Sequence, residues 1–268
     1  RALFDGVTDP LVTRSEAREH VASASGSDEI WNRFIEKPIG RDIAARFTHD
    51  VVRGVVLTDG LIGTFAPNMD SELEANRCFL YHVIGGGTGD WDVPVGGMGA
   101  VSGALTEAAR LAGAQLVASA EVLEITQNNT VRYEKDGVEH SITARYVLAN
   151  SSPRELARLT GGHSISIPGE GAQVKGNMVL TRLPKLLDPQ VTPEQAFGGT
   201  FHINETWSQL DKAYASADAG SIPSPLPCEI YCHSLTDPSI LGEELQQSGA
   251  HTLTVFGLHT PHRLTEKY

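Results

Sequence analysis

The chain has 268 residues, with 21 lysines and arginines against 33 acidic residues, a formal charge of −12 and a hydrophobic fraction of 40%. This length buries a core in one large domain or two ordinary ones, and the negative balance disfavours a nucleic-acid partner or an anionic membrane surface. No apolar run approaches the ~20 residues of a membrane helix, and the opening residues do not read as a secretory signal.

Three cysteines, Cys78, Cys228 and Cys232, are too few and too odd in number for a disulfide framework. They fit a reducing compartment, the cytoplasm or one such as the mitochondrial matrix. Pro227 to Cys232 alternates like a strand, which would set Cys228 and Cys232 roughly 13 Å apart. That is beyond the ~7 Å limit for a bridge, so both are expected to pack as small hydrophobes.

Residues 13 to 48 read as helices, opened by Thr13-Arg14-Ser15-Glu16 and broken near Pro38 and Gly40. Val51 to Leu57 is apolar and ambiguous between helix and strand, and Pro67 to Glu74 reads as a loop entering a helical turn. Seven glycines then fall between Gly85 and Gly99. Ala100 to Leu111 is a good helix that should stop at Gly113. Strand-like runs follow at 115–118, 122–125, 131–133, 138–142 and 146–149, with Asn128-Asn129 and Asp136-Gly137 as turns. Ser152-Pro153 opens a short helix. Beyond Gly162, strands are expected at 172–180, 197–203, 228–232 and 252–258, with a helix over 205–217 and a proline-rich connector over 220–227.

The glycines admit two dinucleotide frames, and neither holds. His82-Val83-Ile84-Gly85-Gly86-Gly87 resembles a strand entering a phosphate loop. However, Asp90 stands where a third glycine belongs, and Pro94 prevents the helix whose N-terminus would face a pyrophosphate. Gly97-x-Gly99-x-x-Ser102 does precede a helix, but the run before it is short and contains Pro94.

A different pattern fits the segment as a whole. Trp91-Asp92-Val93-Pro94-Val95-Gly96-Gly97-Met98-Gly99-Ala100 leads into a helix ending at Ala112-Gly113-Ala114. Val122-Leu123-Glu124-Ile125 follows, then Tyr146-Val147-Leu148-Ala149-Asn150 and Pro153. This order resembles the phytoene-desaturase and amine-oxidase type of FAD-dependent oxidoreductase, and within it the pyridine nucleotide-disulfide oxidoreductase domain-containing protein 2 group. The strongest likeness runs from Trp91 to Pro153. Weaker likeness covers 57–64 and 227–235.

The resemblance implies an α+β chain in which a partial FAD-domain block, residues 91–155, is inserted into a substrate domain of mixed sheet plus helices, residues 1–90 and 156–268. It further implies that Gly96 and Gly97 let the backbone approach the flavin and that Met98 lies beside them. Val122 would offer backbone groups to the adenine, and Asn150 would sit at a strand end by the cofactor. Each has a plainer role available: a tight turn for the glycines, core filling for Met98, an inward strand position for Val122, a helix cap for Asn150.

The family's opening G-x-G-x-x-G and its C-terminal glycine-rich segment are absent from this sequence. The chain therefore reads as a middle fragment, expected to bind FAD weakly or not at all by itself, to be inactive alone, and to self-associate through uncovered apolar surface.

Other chemistry is poorly supported. Gly99-Ala100-Val101-Ser102-Gly103 misses the G-x-S-x-G nucleophile elbow by one residue, and His259-Thr260-Pro261-His262 has proline inside a metal-binding spacing. The ten histidines form no cluster in sequence, so no metal site and no specific catalytic residue is expected. His82, His202 and His233, on expected strands near a cavity, are structural or substrate-touching histidines. The implied activity is dehydrogenation or desaturation of a small apolar organic substrate, the flavin accepting hydride while the protein orients and shields. The alternative is a cofactor-free interaction module.

Overall fold

A computed structural model describes residues 3, 12–85, 87–90, 92–162, 171 and 173–265. Gly86, Trp91 and Ala172 lie outside the described residues. The chain forms two compact units, Arg1–Ala100 with Glu170–Tyr268, and Val101–Gly169.

The first unit begins with helices α1 (Arg14–Ser25), α2 (Glu29–Phe34), α3 (Ile39–Arg46), α4 (Asp50–Leu61) and α5 (Glu74–Ile84). Thr13 caps α1 in a capping box with Glu16, as its Thr-x-x-Glu spacing predicts. The ambiguous valine run is helical: Gly54, Leu57, Thr58 and Leu61 of α4 are buried at helical spacing. His82 to Ile84, read as strand-like, instead close α5. The buried Asp70 carboxylate satisfies the start of α5 by accepting from the Ala75 N–H at 2.9 Å.

A four-stranded sheet lies in the same unit. Its strands are β4 (Gln173–Leu180), β5 (Phe201–Ile203), β6 (Cys228–Tyr231) and β7 (His251–Leu258), in order β4-β7-β6-β5. Every pairing is antiparallel, so the α+β class is as expected, while the sheet expected to be mixed is antiparallel throughout its described length. The run 197–203 is only partly strand. Thr192 and Pro193 start a short helix, α8 (Pro193–Phe197), and β5 keeps three residues. Helix α9 (Trp207–Asp218) follows its cap at Thr206. After β6 come α10 (His233–Thr236), a 3₁₀ turn at Pro238–Ile240 and α11 (Glu243–Gln247).

Leu57 and Leu61 of α4, Phe79 of α5, Leu210 of α9 and Leu258 of β7 share one core with Ile39 and Ile43 of α3. That core holds the sheet against α4, α5 and α9. Burying such side chains contributes about 1.5–3 kcal/mol each.

In the second unit, helix α6 (Gly97–Leu111) enters from the first and ends at Gly113 with φ +86°. There the Ala114 N–H reaches back to the Ala109 carbonyl at 2.9 Å, the terminator a glycine provides. A meander of β1 (Ala120–Ile125), β2 (Thr130–Lys135) and β3 (Val138–Thr143) follows, in order β1-β2-β3. Asp136 and Gly137, both at positive φ, form the tight turn their sequence predicts. Helix α7 (Pro153–Leu159) is capped by Ser152 and packs on β1.

The runs 115–118 and 146–149 are not strands. They find no ladder partner among the described residues, and Leu116, Val117, Tyr146 and Leu148 stand exposed. Strand propensity alone does not make a strand, because the ladder hydrogen bonds need a neighbour. Among the described residues no helix is long and apolar enough to cross a membrane.

Candidate functional site

Strand register builds the site. Lys175 pairs with Phe256, Phe256 with Glu229, and Glu229 with His202. Directly opposed residues share a face, so these four form a row across all four strands. Tyr231 lies two residues beyond Glu229 and joins that face. Opposite stand Asp59 and Ile62 at the end of α4 and His82 on α5. Between them is a cavity of about 500 Å³ whose walls include Asp59, His82, Val93, Tyr231, His233 and Phe256. Its size and its mixture of apolar wall with a few polar groups suit a small organic ligand. A larger hollow of about 680 Å³ borders Phe34, Leu80 and Tyr81. Buried ionisable groups converge on the smaller one, so we place the candidate site there.

His82 is held rigidly. Its Nδ1 lies 2.8 Å from the Cys78 carbonyl and 2.9 Å from the Asp59 carbonyl, so Nδ1 carries the proton and the ring's variable chemistry is at Nε2. The Cys78 side chain and carbonyl, with Asp59 nearby, push the imidazole up to about 9 against the opposing effect of burial. Burial raises the Asp59 carboxyl above its ordinary range. Tyr231 is stacked on His233 with ring centroids 6.0 Å apart and meets Phe256 edge-on at 5.7 Å. Its hydroxyl donates to Glu229, and burial together with that carboxylate raises the phenol.

Behind the tyrosine is a buried polar group. Glu229 and Glu205 are 2% and 4% exposed, and His202 Nδ1 meets Glu205 Oε2 at 2.6 Å. Asn204 adopts φ +57°, reversing the chain after β5 so that Glu205 returns to the imidazole. The turn is held from below by α4: a Cβ on Gly54 would stand 1.9 Å from the Glu205 carbonyl oxygen. Burial pushes the Glu205 carboxyl up to about 7, with Glu229 adding to it and His202 opposing it. Glu205 in turn raises His202.

Donor atoms of His202, Glu205 and Glu229 all lie within 4.8 Å of one another, close enough to hold a metal ion. One of the histidines scattered in sequence, His202, is therefore brought together with two carboxylates in space. The sequence signal for this was the alternation of Glu229 with Tyr231, readable only once β6 is known to pair with β5. Of the three histidines expected on strands, His202 alone is on one. His82 and His233 are on helices, and both line the cavity.

Gly96 and Gly97 have φ of +84° and +70°. The Gly96 N–H donates to Asp237 Oδ2 at 2.7 Å, and a Cβ on Gly97 would meet Ile240 at 3.2 Å. These glycines thus serve a turn in the first unit. Met98, on the first turn of α6, is 68% exposed. Val122 sits in β1 beside a bulge that ends at Glu124, and β1 is an edge strand. Asn150 is exposed; the cap of α7 is Ser152. Ser102 lies inside α6, far from any elbow geometry. Cys232 is buried and Cys228 half-buried, both as free thiols.

The chain is 52% identical over 265 residues to an uncharacterized protein of Mycobacterium tuberculosis, Rv0897c, and equally to one of Mycobacterium bovis, Mb0921c. The aligned region is 97% of this chain and 49% of each relative. It is 29% identical over 257 residues to the mouse pyridine nucleotide-disulfide oxidoreductase domain-containing protein 2, covering 87% of this chain and 42% of that protein. The rat protein of the same name is 27% identical over 255 residues. The chain thus spans about half the length of the curated relatives it matches. No family model matches it, and no solved structure matches it.

Proposed function

We propose that residues 1–268 form the substrate-bearing part of a flavin-dependent oxidoreductase acting on a small, largely apolar organic molecule. The observation that carries this reading is the cavity between the sheet and the α4–α5 pair. It combines apolar walls from Ile62, Val93 and Phe256 with the fixed imidazole of His82 and the Tyr231 hydroxyl. In a flavin enzyme the cofactor supplies the hydride-accepting chemistry, and the protein binds, orients and excludes water. Phe256 and Ile62 would hold an apolar substrate. His82, its imidazole pushed up to about 9, is the group that could hold or move a proton at a substrate heteroatom or acidic carbon, while Tyr231, whose hydroxyl donates to Glu229, would shape the wall.

The distant likeness to the oxidoreductase domain-containing protein supports the enzyme class. The second unit is suited to bordering FAD. Its strand β1 is an edge, where backbone groups at Val122 can face an adenine, and α6 has no buried side chain of its own. Gly96, Gly97 and Met98 at the start of α6, and Asn150 before α7, remain proposed cofactor neighbours on the same reading. The diphosphate would have to be held by other parts of a longer polypeptide, so the isolated segment is expected to bind FAD weakly.

Purification of the full-length product and its visible absorption spectrum test the reading. Flavin absorption that co-purifies with the protein, and FAD recovered in the supernatant after denaturation, are the expected results. A colourless full-length protein that also fails to quench the fluorescence of added FAD would overturn it in favour of a cofactor-free interaction module.

A further inference from the structure

We propose that His202, Glu205 and Glu229 bind a divalent first-row transition ion, of the zinc or manganese class, directly behind the Tyr231 wall of the cavity. One imidazole and two carboxylates are a donor set for such an ion, whereas magnesium and calcium favour all-oxygen shells. Three features of the structure converge on this.

The first is proximity fixed by the fold. His202 and Glu229 are register partners on adjacent strands, and the left-handed Asn204 returns Glu205 to the same place. The three donors lie within 4.8 Å of one another. A tetrahedral ion with bonds of about 2.0–2.2 Å spaces its donors roughly 3.3–3.6 Å apart, so an adjustment of at most about 1.5 Å separates this arrangement from coordination.

The second is an orphan acceptor. Glu205 is 4% exposed, and among the described residues its Oε1 has no hydrogen-bond partner while Oε2 meets His202. A buried carboxylate oxygen without a donor requires a counter-ion or a proton. The group as a whole has two buried carboxylates against one imidazole, which a divalent cation with a neutral histidine balances.

The third is a supporting contact. The Tyr231 hydroxyl donates to Glu229 Oε2, the outer contact that orients a ligating carboxylate. The imidazole side chain is 25% exposed, which leaves an entry path. Binding would displace the proton shared in the His202–Glu205 contact, so uptake of the ion releases protons to solvent.

Elemental analysis of the full-length protein, purified without chelators, tests the proposal together with zinc and manganese titrations of chelator-treated protein followed by thermal unfolding. The expected result is about one ion per chain and a midpoint that rises on metal addition. Glu205→Gln and His202→Ala should lose both while keeping the wild-type circular dichroism. Tyr231→Phe, which leaves the donors intact, should weaken binding about 10- to 100-fold; it also guards against a variant that fails to fold. Protein with no bound metal, and a melting midpoint indifferent to either ion in wild type and variants alike, would overturn the proposal and leave a carboxyl–imidazole group sharing a proton. Because flavin content is read separately, failure of this site and failure of the oxidoreductase reading are distinguishable.

Discussion

The α carbon of Gly54 faces the Glu205 carbonyl so closely that an added Cβ would stand 1.9 Å from the oxygen and 2.6 Å from Thr206 C. Helix α4 can approach the β5–α9 turn only because that position has no side chain. Gly54→Ala must push apart two backbones, and backbone relaxes less easily than a side-chain tip. We expect a loss of at least about 3 kcal/mol in urea unfolding, at the upper end of overpacking costs. Gly99→Ala, on an open helix face with nothing within 4 Å, should be neutral or slightly stabilising. Equal effects of the two would show that the close approach is not a constraint.

His259 supplies a pH dependence. It is 1% exposed, neither ring nitrogen has a hydrogen-bond partner among the described residues, and Phe65 and Tyr214 meet it edge-on. Burial lowers the imidazole to about 4. The unfolded chain, with its histidine near 6.5, therefore takes up a proton at higher pH than the folded one. Stability is complete above about 6.5 and falls as pH drops toward 4, by up to about 3 kcal/mol. Denaturation of wild type and His259→Asn across this range checks it. Asparagine tolerates the positive φ of 51° and does not titrate, so the variant should lose most of the slope.

Local elements were legible where local chemistry decides them. Thr13, Ser152, Gly113 and Asp136-Gly137 each mark a cap or turn that the structure contains. What depends on distant partners was not. His82 to Ile84 has strand-like apolar residues, yet α5 claims them because Phe79 and Ala75, one and two turns before, are buried on the same helix. The runs at 115–118 and 146–149 carry strand composition without a ladder partner among the described residues. The candidate site was hidden for the same reason: His202 and Glu229 are adjacent only through the β5–β6 register, and Glu205 joins them through one left-handed residue.

His82 should titrate far from an ordinary histidine. Its Nδ1 faces the Cys78 side chain at 3.7 Å and two carbonyls, and the ring is pushed up to about 9. The sign is opposite to that of His259: the stabilising contribution is full below the unfolded value near 6.5 and is lost as pH rises through about 9. A nuclear magnetic resonance titration of the ring protons should give a midpoint near 9 in wild type and a lower one in Cys78→Ala. A midpoint at the ordinary value in both would remove His82 from the groups that can act as an acid in the cavity.

The second unit carries apolar surface that its own residues do not cover. Leu105 and Leu111 on α6 are 67% and 81% exposed, and Leu148 in the unpaired run is 96% exposed. Leu105, Ala108 and Ala112 are exposed on one helix face, with half-buried Val101 at its start, and Leu111 stands exposed beside it. Contiguous apolar area of this kind draws a covering surface. Residues 1–268 produced alone should therefore show a mass that rises with concentration in light scattering. Leu105→Glu combined with Leu148→Glu should return it to the monomer mass with unchanged circular dichroism, since neither side chain contributes to a core. Wild-type protein that stays monomeric at every concentration would mean that this face is too weak to recruit a second copy.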